Sequence, residues 1–81
     1  MKWSHTRRSR RDYDTAPSTV QAAFEKQLQL LLKDPHHPSL RTKKYQGADN
    51  IWQARVNRDW RFYFLIEANV YTILAIIPHP K

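Results

Sequence analysis

Apolar side chains recur with helical spacing over residues 20–31. This spacing predicts an amphipathic helix that packs its apolar side against a core. Only one of the positions on that side is polar, the glutamine in the series Val20, Ala23, Phe24, Gln27, Leu28 and Leu31.

The sequence also indicates where this helix begins and ends. Ser18 and Gln21 have the spacing of a capping box, so we expect the helix to begin at Ser18. Pro35 disfavours helical geometry in the residue before it, so we expect the helix to end near Lys33. Residues 34–40 are then a proline-stiffened loop.

Three runs of residues in the second half have the pattern of β-strands. The third run has Thr72 as its only polar residue, so we expect it to be covered on both faces and to lie inside the sheet. The runs predict strands at 51–57, 60–66 and 70–77, with tight turns at 57–59 and 67–69.

Three shorter segments complete the predicted architecture. Residues 2–6 form a short strand, residues 41–45 begin a strand or stay extended, and residues 47–50 form a turn around the only glycine. The order predicts an α+β fold, in which N-terminal helical segments pack on a small antiparallel sheet of three to four strands.

The register of the strands decides which side chains share a face, since a one-residue slip moves every side chain to the other side. Matching apolar residues pairs Val56 with Trp60, Ala54 with Phe62 and Trp52 with Phe64, which sets Gln53 opposite Tyr63 and Arg55 opposite Arg61. For the third strand we predict the pairs Ile66 with Val70, Arg61 with Ala75 and Tyr63 with Ile73.

Composition narrows the class of protein. A chain of 81 residues is expected to form one domain, residues 1–81, and its net charge of +7 favours an anionic partner: nucleic acid, an acidic protein or anionic lipid. Cysteine is absent, which excludes thiolate metal sites. No apolar run is long enough to span a membrane, so we expect a cytoplasmic, soluble protein without membrane contact.

A basic cluster near the amino terminus has two readings. Its members are either a solvated, partly helical basic face or direct phosphate contacts, and composition leaves both open. The cluster consists of Arg7, Arg8, Arg10 and Arg11.

A second set of chemical side chains collects on one face of the predicted sheet. Two arginines directly opposite each other repel, a cost that is easier to understand if an anion lies between or above them. His79, beyond the last strand, should project near the turn that holds Asn57 and Asp59. The set consists of Gln53, Arg55, Asn57, Asp59, Arg61, Tyr63 and His79.

Each of these residues also has a structural interpretation. Arg55 and Arg61 fit a solvent-facing strand surface, and Asp59 fits a residue that stabilises its turn or pairs with Arg58. Trp60 is either a core residue or a platform on which a base stacks. Further predicted RNA contacts are Lys43, Lys44, Tyr63 and Arg58.

The chemistry consistent with this set is RNA cleavage by attack of the 2'-hydroxyl on its own phosphate. The reaction needs a base, an acid and cations for the charge that builds on the phosphorane. His79 or Asp59 fits the proton transfers, and Arg55 and Arg61 fit the charge. No metal or other cofactor is predicted, because the His36–His37 pair lacks companion ligands.

Ordered segments along residues 7–79 resemble the RelE/ParE superfamily of bacterial type II toxins. The resemblance implies a microbial-ribonuclease-like RelE fold and an antitoxin partner. In the RelE, YoeB and YafQ branches it implies cleavage of mRNA in the ribosome, and in the ParE branch inhibition of DNA gyrase. The segments are PSL at 38–40, KKYQG at 43–47, WQARV at 52–56, RFYF at 61–64 and IIPH at 76–79.

The resemblance assigns roles to particular residues. Arg61 occupies the place of the strand arginine that contacts the scissile phosphate, and His79 the place of a carboxy-terminal histidine implicated in proton transfer. Asp59 and Trp60 are similar to an Asp-Trp pair in YafQ. Arg55 stands where YoeB has an arginine and YafQ a histidine. Lys43 and Lys44 match the basic residues of the RelE loop loosely.

The chain also departs from the family pattern. The glutamate that serves YoeB as a base is replaced near Pro38, and Pro80 and Lys81 stand where YoeB has a terminal aromatic residue. The short amino end predicts a first strand that is clipped or poorly formed. From the candidate residues and the resemblance together, we expect a metal-independent, ribosome-dependent mRNA endoribonuclease. The departures leave a ParE-like gyrase inhibitor or an inactive antitoxin-binding homologue as alternatives.

Overall fold

The computed structural model describes residues 2–45 and 50–79 of the chain. Two helices pack on a five-stranded sheet, so the predicted α+β class is confirmed, with more strands than expected. The sheet order is β1-β5-β4-β3-β2. The elements are β1 Lys2–His5, α1 Arg7–Thr15, α2 Ser18–Lys33, a 3-10 helix Pro38–Leu40, β2 Lys43–Lys44, β3 Ile51–Arg55, β4 Trp60–Glu67 and β5 Val70–Pro78.

Helix α2 confirms the helical pattern but not its predicted cap. The helix spans Ser18–Lys33, as the spacing of apolar residues predicted. Pro17 is the N-cap residue and no side chain caps the helix, so the capping box predicted at Ser18 and Gln21 is wrong. A reciprocal capping box instead joins Thr6 and Ser9 at the start of α1.

The core lies between α2 and one face of the sheet. Phe24 contacts Phe62 edge-on, with ring centroids 5.2 Å apart. Side chains alternate along a strand, so the residues between the core positions of β3 and β4 face away from the helices. The buried cluster consists of Val20, Phe24, Leu28, Leu31, Leu40, Ala54, Val56, Phe62, Phe64, Tyr71, Ile73 and Ile76.

Strand β1 is better formed than the short amino end predicted. It pairs in parallel with β5 over four positions, from Lys2 opposite Val70 to His5 opposite Ile73. The expectation of a clipped first strand is therefore wrong. As predicted, β5 lies inside the sheet, between β1 and β4. The turn predicted at 47–50 lies mostly outside the described residues.

The register of β3 with β4 is as predicted, and that of β4 with β5 is not. Arg55 is opposite Arg61, and Gln53 is opposite Tyr63. The turn into β5 has only two residues, Ala68 and Asn69, both with positive φ. The observed pairs are Glu67 with Val70, Ile66 with Tyr71, Tyr63 with Ala75 and Arg61 with Ile77, in place of Ile66 with Val70, Tyr63 with Ile73 and Arg61 with Ala75.

A β-bulge in β5 explains the rest of the difference. The register shifts between Tyr63 and Phe64, which leaves Leu74 without an opposite residue. Helix α1 bonds to the backbone at this point: Thr6 Oγ1 donates to the Leu74 carbonyl at 3.2 Å. The Ile76 amide donates to Asp12 Oδ2 at 3.0 Å. The bulge thus coincides with the docking of α1, which strand periodicity alone does not reveal.

Candidate active site

Arg55 and Arg61 are directly opposite each other on β3 and β4, on the side of the sheet away from the helices. We call this side the arginine face; it carries Lys43, Gln53, Arg55, Arg61 and Tyr63. Like charges in such positions destabilise a sheet by some tenths of a kcal/mol. The fold therefore holds two cations together at a cost.

Both arginines converge on one carbonyl oxygen in the β3–β4 turn. Arg55 Nε donates to the Asn57 carbonyl at 3.2 Å, and Arg61 Nη1 donates to the same oxygen at 2.8 Å. Arg61 Nη1 also donates to the Trp60 carbonyl at 2.9 Å. These bonds hold the guanidinium groups at one end of the sheet and leave other N–H groups of each arginine for a ligand.

The side chain of Asn57 shapes the turn that carries this carbonyl. Its Oδ1 accepts from the amides of Asp59 and Trp60, each at 2.9 Å. A side-chain oxygen that accepts from an amide two residues ahead is an Asx turn. Asn57, and not Asp59, thus stabilises the turn, and the carboxylate of Asp59 stays exposed.

The positive charge on this face has no carboxylate partner within the described ranges. Across residues 2–45 and 50–79, ion pairs occur only within α1, between Arg8 and Asp12 and between Arg10 and Asp14. Burial lowers the pKa of Arg61, and the positive charges of Arg55 and Arg41 lower it further. Tyr63 and Asp59 act in the opposite direction. An anion bound here would relieve this repulsion.

Arg41 is a member of this cluster that the sequence pattern did not reveal. It caps the 3-10 helix with left-handed backbone angles, φ 47° and ψ 46°. An arginine in this conformation bears a steric cost that glycine would avoid. Its electrostatic effect on Arg61 depends on how the loop packs against the sheet, and no local spacing in the sequence signals it.

His79 lies at the same end of the sheet. Its amide donates to the Asp59 carbonyl at 2.7 Å, which continues the β4–β5 pairing past Trp60 and Pro78. The imidazole is exposed, and alternation from Ile77, the partner of Arg61, predicts that it lies on the arginine side. Asp59 and His79 are therefore neighbours across the end of the hairpin.

The predicted lysine pair is divided between the two faces of the sheet. Lys43 is opposite Gln53, on the arginine face, whereas Lys44 is opposite Trp52 on the side of the core. Both side chains are exposed at the edge strand β2. Only Lys43 therefore extends the charge of the arginine face.

The aromatic surface beside the arginines comes from tyrosine. Tyr45 and Tyr63 meet edge-on, with ring centroids 5.6 Å apart, and Tyr45 is 46% exposed. Trp60 instead lies on the opposite side of β4, half-buried against the core. Arg58 is exposed in the β3–β4 turn. Sequence analysis singled out Tyr63, but not Tyr45.

The remaining charged features lie outside this face. The basic residues of α1 are all exposed, and Arg8 and Arg10 form pairs with acids at 3.7 and 4.0 Å. Within residues 2–45 and 50–79, no three histidine or acidic side chains gather as metal ligands do. In the same ranges, neither helix is long and apolar enough to cross a bilayer.

Solved structures with the same fold include bacterial and archaeal toxins. The YoeB/ParE toxin from Agrobacterium tumefaciens superposes with a TM-score of 0.84 at 15% identity, covering 99% of this chain and 100% of that one. YafQ in the E. coli DinJ-YafQ toxin-antitoxin complex gives 0.81 at 13% identity, covering 96% and 91%. The archaeal RelE-RelB complex from Pyrococcus horikoshii OT3 gives 0.77 at 17% identity, covering 95% and 92%.

The chain therefore has the fold of the RelE/ParE toxins of type II toxin-antitoxin systems. The likeness extends over nearly the whole length of both partners in each comparison. No protein-family model and no curated protein matches the sequence. With identities this low, the comparisons establish the fold, and function has to be argued from the residues of this chain.

Proposed function

We propose that this protein is the toxin of a type II toxin-antitoxin system and that it cleaves ribosome-bound mRNA without a metal ion. The observation that carries the proposal is the pair of Arg55 and Arg61, which has no ion-pair partner among the described residues and is held on one carbonyl beside the end of β5 that carries His79. A cation pair of this kind suits a phosphate that gains negative charge during reaction.

The proposed reaction is an internal transesterification. The 2'-oxygen attacks its own phosphorus, the bond from phosphorus to the 5'-oxygen breaks, and the products are a 2',3'-cyclic phosphate and a 5'-hydroxyl. One proton leaves the 2'-hydroxyl for a base, and another reaches the departing 5'-oxygen from an acid. The two steps need two proton-transfer groups, one within reach of the 2'-hydroxyl and one within reach of the 5'-oxygen.

The residues around the β3–β4 turn and the end of β5 fit these roles. Arg61 and Arg55 stabilise the charge on the phosphorane, because the fold holds their N–H groups in position before the reaction begins. His79 and Asp59, adjacent across the hairpin end, carry the protons. Lys43 binds backbone phosphates of the RNA. Tyr45 and Tyr63 form an aromatic surface on which a base stacks.

An antitoxin partner follows from the same proposal. Two of the structures with this fold are toxins in complex with their antitoxins, DinJ-YafQ and RelE-RelB. The net charge of +7 and the exposed arginine face favour an acidic partner segment that covers the site. We propose that such an antitoxin silences the toxin in the cytoplasm until it is removed.

The experiment that tests the function maps mRNA ends after induction of the toxin in cells. Primer extension should show new cuts within translated codons for the wild type and far fewer for Arg61→Ala and His79→Ala. A gyrase supercoiling assay runs in parallel. If wild-type induction leaves mRNA intact and inhibits supercoiling, the protein is a ParE-like inhibitor instead. If both activities are absent, the chain only binds its antitoxin.

A further inference from the structure

An open groove lies on the helix side of the sheet, between α2, the 3-10 helix and the β3–β4 turn. Its volume is about 490 Å³. Its polar lining comes from all three elements and from the end of β3: Lys26, Gln27, Ser39, Arg41, Arg55, Asn57 and Arg58. We call it the α2 groove.

The α2 groove is strongly cationic. Four of its lining residues are lysine or arginine, and no acidic residue lines it. The side chains of Lys26, Arg41 and Arg58 are exposed, so they reach a ligand without displacing the core. Desolvated or focused positive charge of this kind attracts a phosphate more strongly than a flat surface does.

A buried glutamine fixes the walls of the groove. Gln27 is only 7% exposed, and its Nε2 donates to the Ser39 carbonyl at 3.1 Å and to the Arg55 carbonyl at 2.9 Å. One side chain therefore ties α2 to the 3-10 helix and to the end of β3. The walls are held in place before any ligand arrives, which lowers the ordering cost of binding.

The groove adjoins the proposed reaction centre. Asn57 lines the groove, and its carbonyl accepts the hydrogen bonds of both Arg55 and Arg61. A polynucleotide strand whose scissile phosphate lies against Arg61 therefore has the α2 groove within reach of a neighbouring phosphate. The groove is open to solvent, which suits a segment of a polymer better than an enclosed small molecule.

We infer that the α2 groove binds a second backbone phosphate of the single-stranded RNA, next to the scissile one, with Lys26 and Arg58 as its outer contacts. This inference rests on the proposed function, because it assumes that the ligand of the proposed reaction centre is RNA. A second contact holds the strand in register while Arg61 acts on the reacting phosphate.

The test is the salt dependence of RNA binding by the free protein. A short 2'-O-methyl RNA, which lacks the attacking hydroxyl, is titrated from 50 to 200 mM salt with the wild type, Lys26→Gln and Lys33→Gln. Lys26 and Lys33 are exposed residues of the same helix, but only Lys26 lines the groove. The two variants carry the same change in net charge.

The plot of log K against log salt has a negative slope. Each lost phosphate contact makes that slope less steep by about 0.7 for a single strand. We expect that loss for Lys26→Gln, a larger one for Lys26→Gln combined with Arg58→Gln, and the wild-type slope for Lys33→Gln. Equal slopes for Lys26→Gln and the wild type would overturn the groove assignment while leaving the proposed function intact. Failure of the wild type to bind this RNA would also overturn the groove assignment, whereas the proposed function is tested separately by the mapping of mRNA ends.

An acidic peptide added in the same assay separates RNA from a protein ligand. If the groove serves RNA, the affinity for RNA falls in Lys26→Gln. If only the affinity for a poly-glutamate peptide falls, the groove takes an acidic protein segment and the inference is wrong.

Discussion

Arg55 and Arg61 face each other across β3 and β4, and both donate to the carbonyl oxygen of Asn57. Two cations directly opposite each other on adjacent strands repel, so the stability of the fold does not explain this pair. A single backbone oxygen accepts from both guanidinium groups, and within the described residues no carboxylate pairs with either of them. The proposed function rests on this relationship.

Arg55→Gln should therefore weaken activity without weakening the fold. The substitution removes the cross-strand repulsion, and the Asn57 carbonyl still accepts from Arg61. We expect the free energy of unfolding in urea to stay within about 0.5 kcal/mol of the wild type. We expect mRNA cleavage to fall at least tenfold. A loss of stability of about 2 kcal/mol or more would mean that Arg55 is mainly structural.

Gln27→Leu should destabilise the protein, because it leaves the Ser39 and Arg55 carbonyls without their donor. The expected cost is about 1–3 kcal/mol, as for other buried polar groups that lose a partner. Gln29→Leu, at an exposed position of the same helix, is the matched control and should change stability little. Chemical denaturation of both variants measures the difference, and equal stabilities would contradict the role given to Gln27.

Asp12→Ala should loosen the contact between α1 and the bulge in β5. The Ile76 amide would lose its acceptor, at an expected cost of about 1–3 kcal/mol. Asp14→Ala removes an exposed acid from the same helix and should cost less than about 0.5 kcal/mol. Thermal unfolding of the two variants provides the comparison. An equal effect of the two changes would show that the bulge does not depend on Asp12.

Alkaline pH should destabilise the protein partly through Tyr71. Burial raises the pKa of its hydroxyl above the usual 10.0, so the folded state keeps the proton more tightly than the unfolded state. The stability linked to Tyr71 is complete below about pH 10 and falls as pH rises through its folded pKa. Tyr71→Phe should shift alkaline unfolding to higher pH, and Tyr45→Phe, at an exposed position, should not. An unchanged profile for Tyr71→Phe would contradict the assignment.

Local patterns were sufficient for the elements that bury apolar side chains on one side. The spacing from Val20 to Leu31 predicted α2, and matching apolar residues predicted the register that sets Arg55 opposite Arg61. A short first strand was predicted at residues 2–6, but its partner was not, because it pairs with β5, which is more than sixty residues away. Long-range pairing of this kind leaves no periodic trace in a four-residue segment.

The site could be predicted only as far as strand register carried it. The two arginines and the neighbourhood of His79 follow from alternation. The position of Arg41 and the shape of the α2 groove depend on how the proline-rich loop packs, and Gln27 holds that loop through Ser39. Neither feature follows from local spacing. The single polar residue in the apolar series of α2 was nevertheless a visible signal, because buried polar side chains usually serve a partner.

The central claim is that Arg61 acts on the scissile phosphate, and the rate of cleavage under single-turnover conditions tests it most directly. Purified protein is mixed with ribosomes programmed with mRNA, and Arg61→Gln is compared with Arg7→Gln, an exposed arginine of α1. We predict a rate about 10²- to 10³-fold lower for Arg61→Gln and an unchanged rate for Arg7→Gln. Equal cleavage by both variants and the wild type would contradict the account.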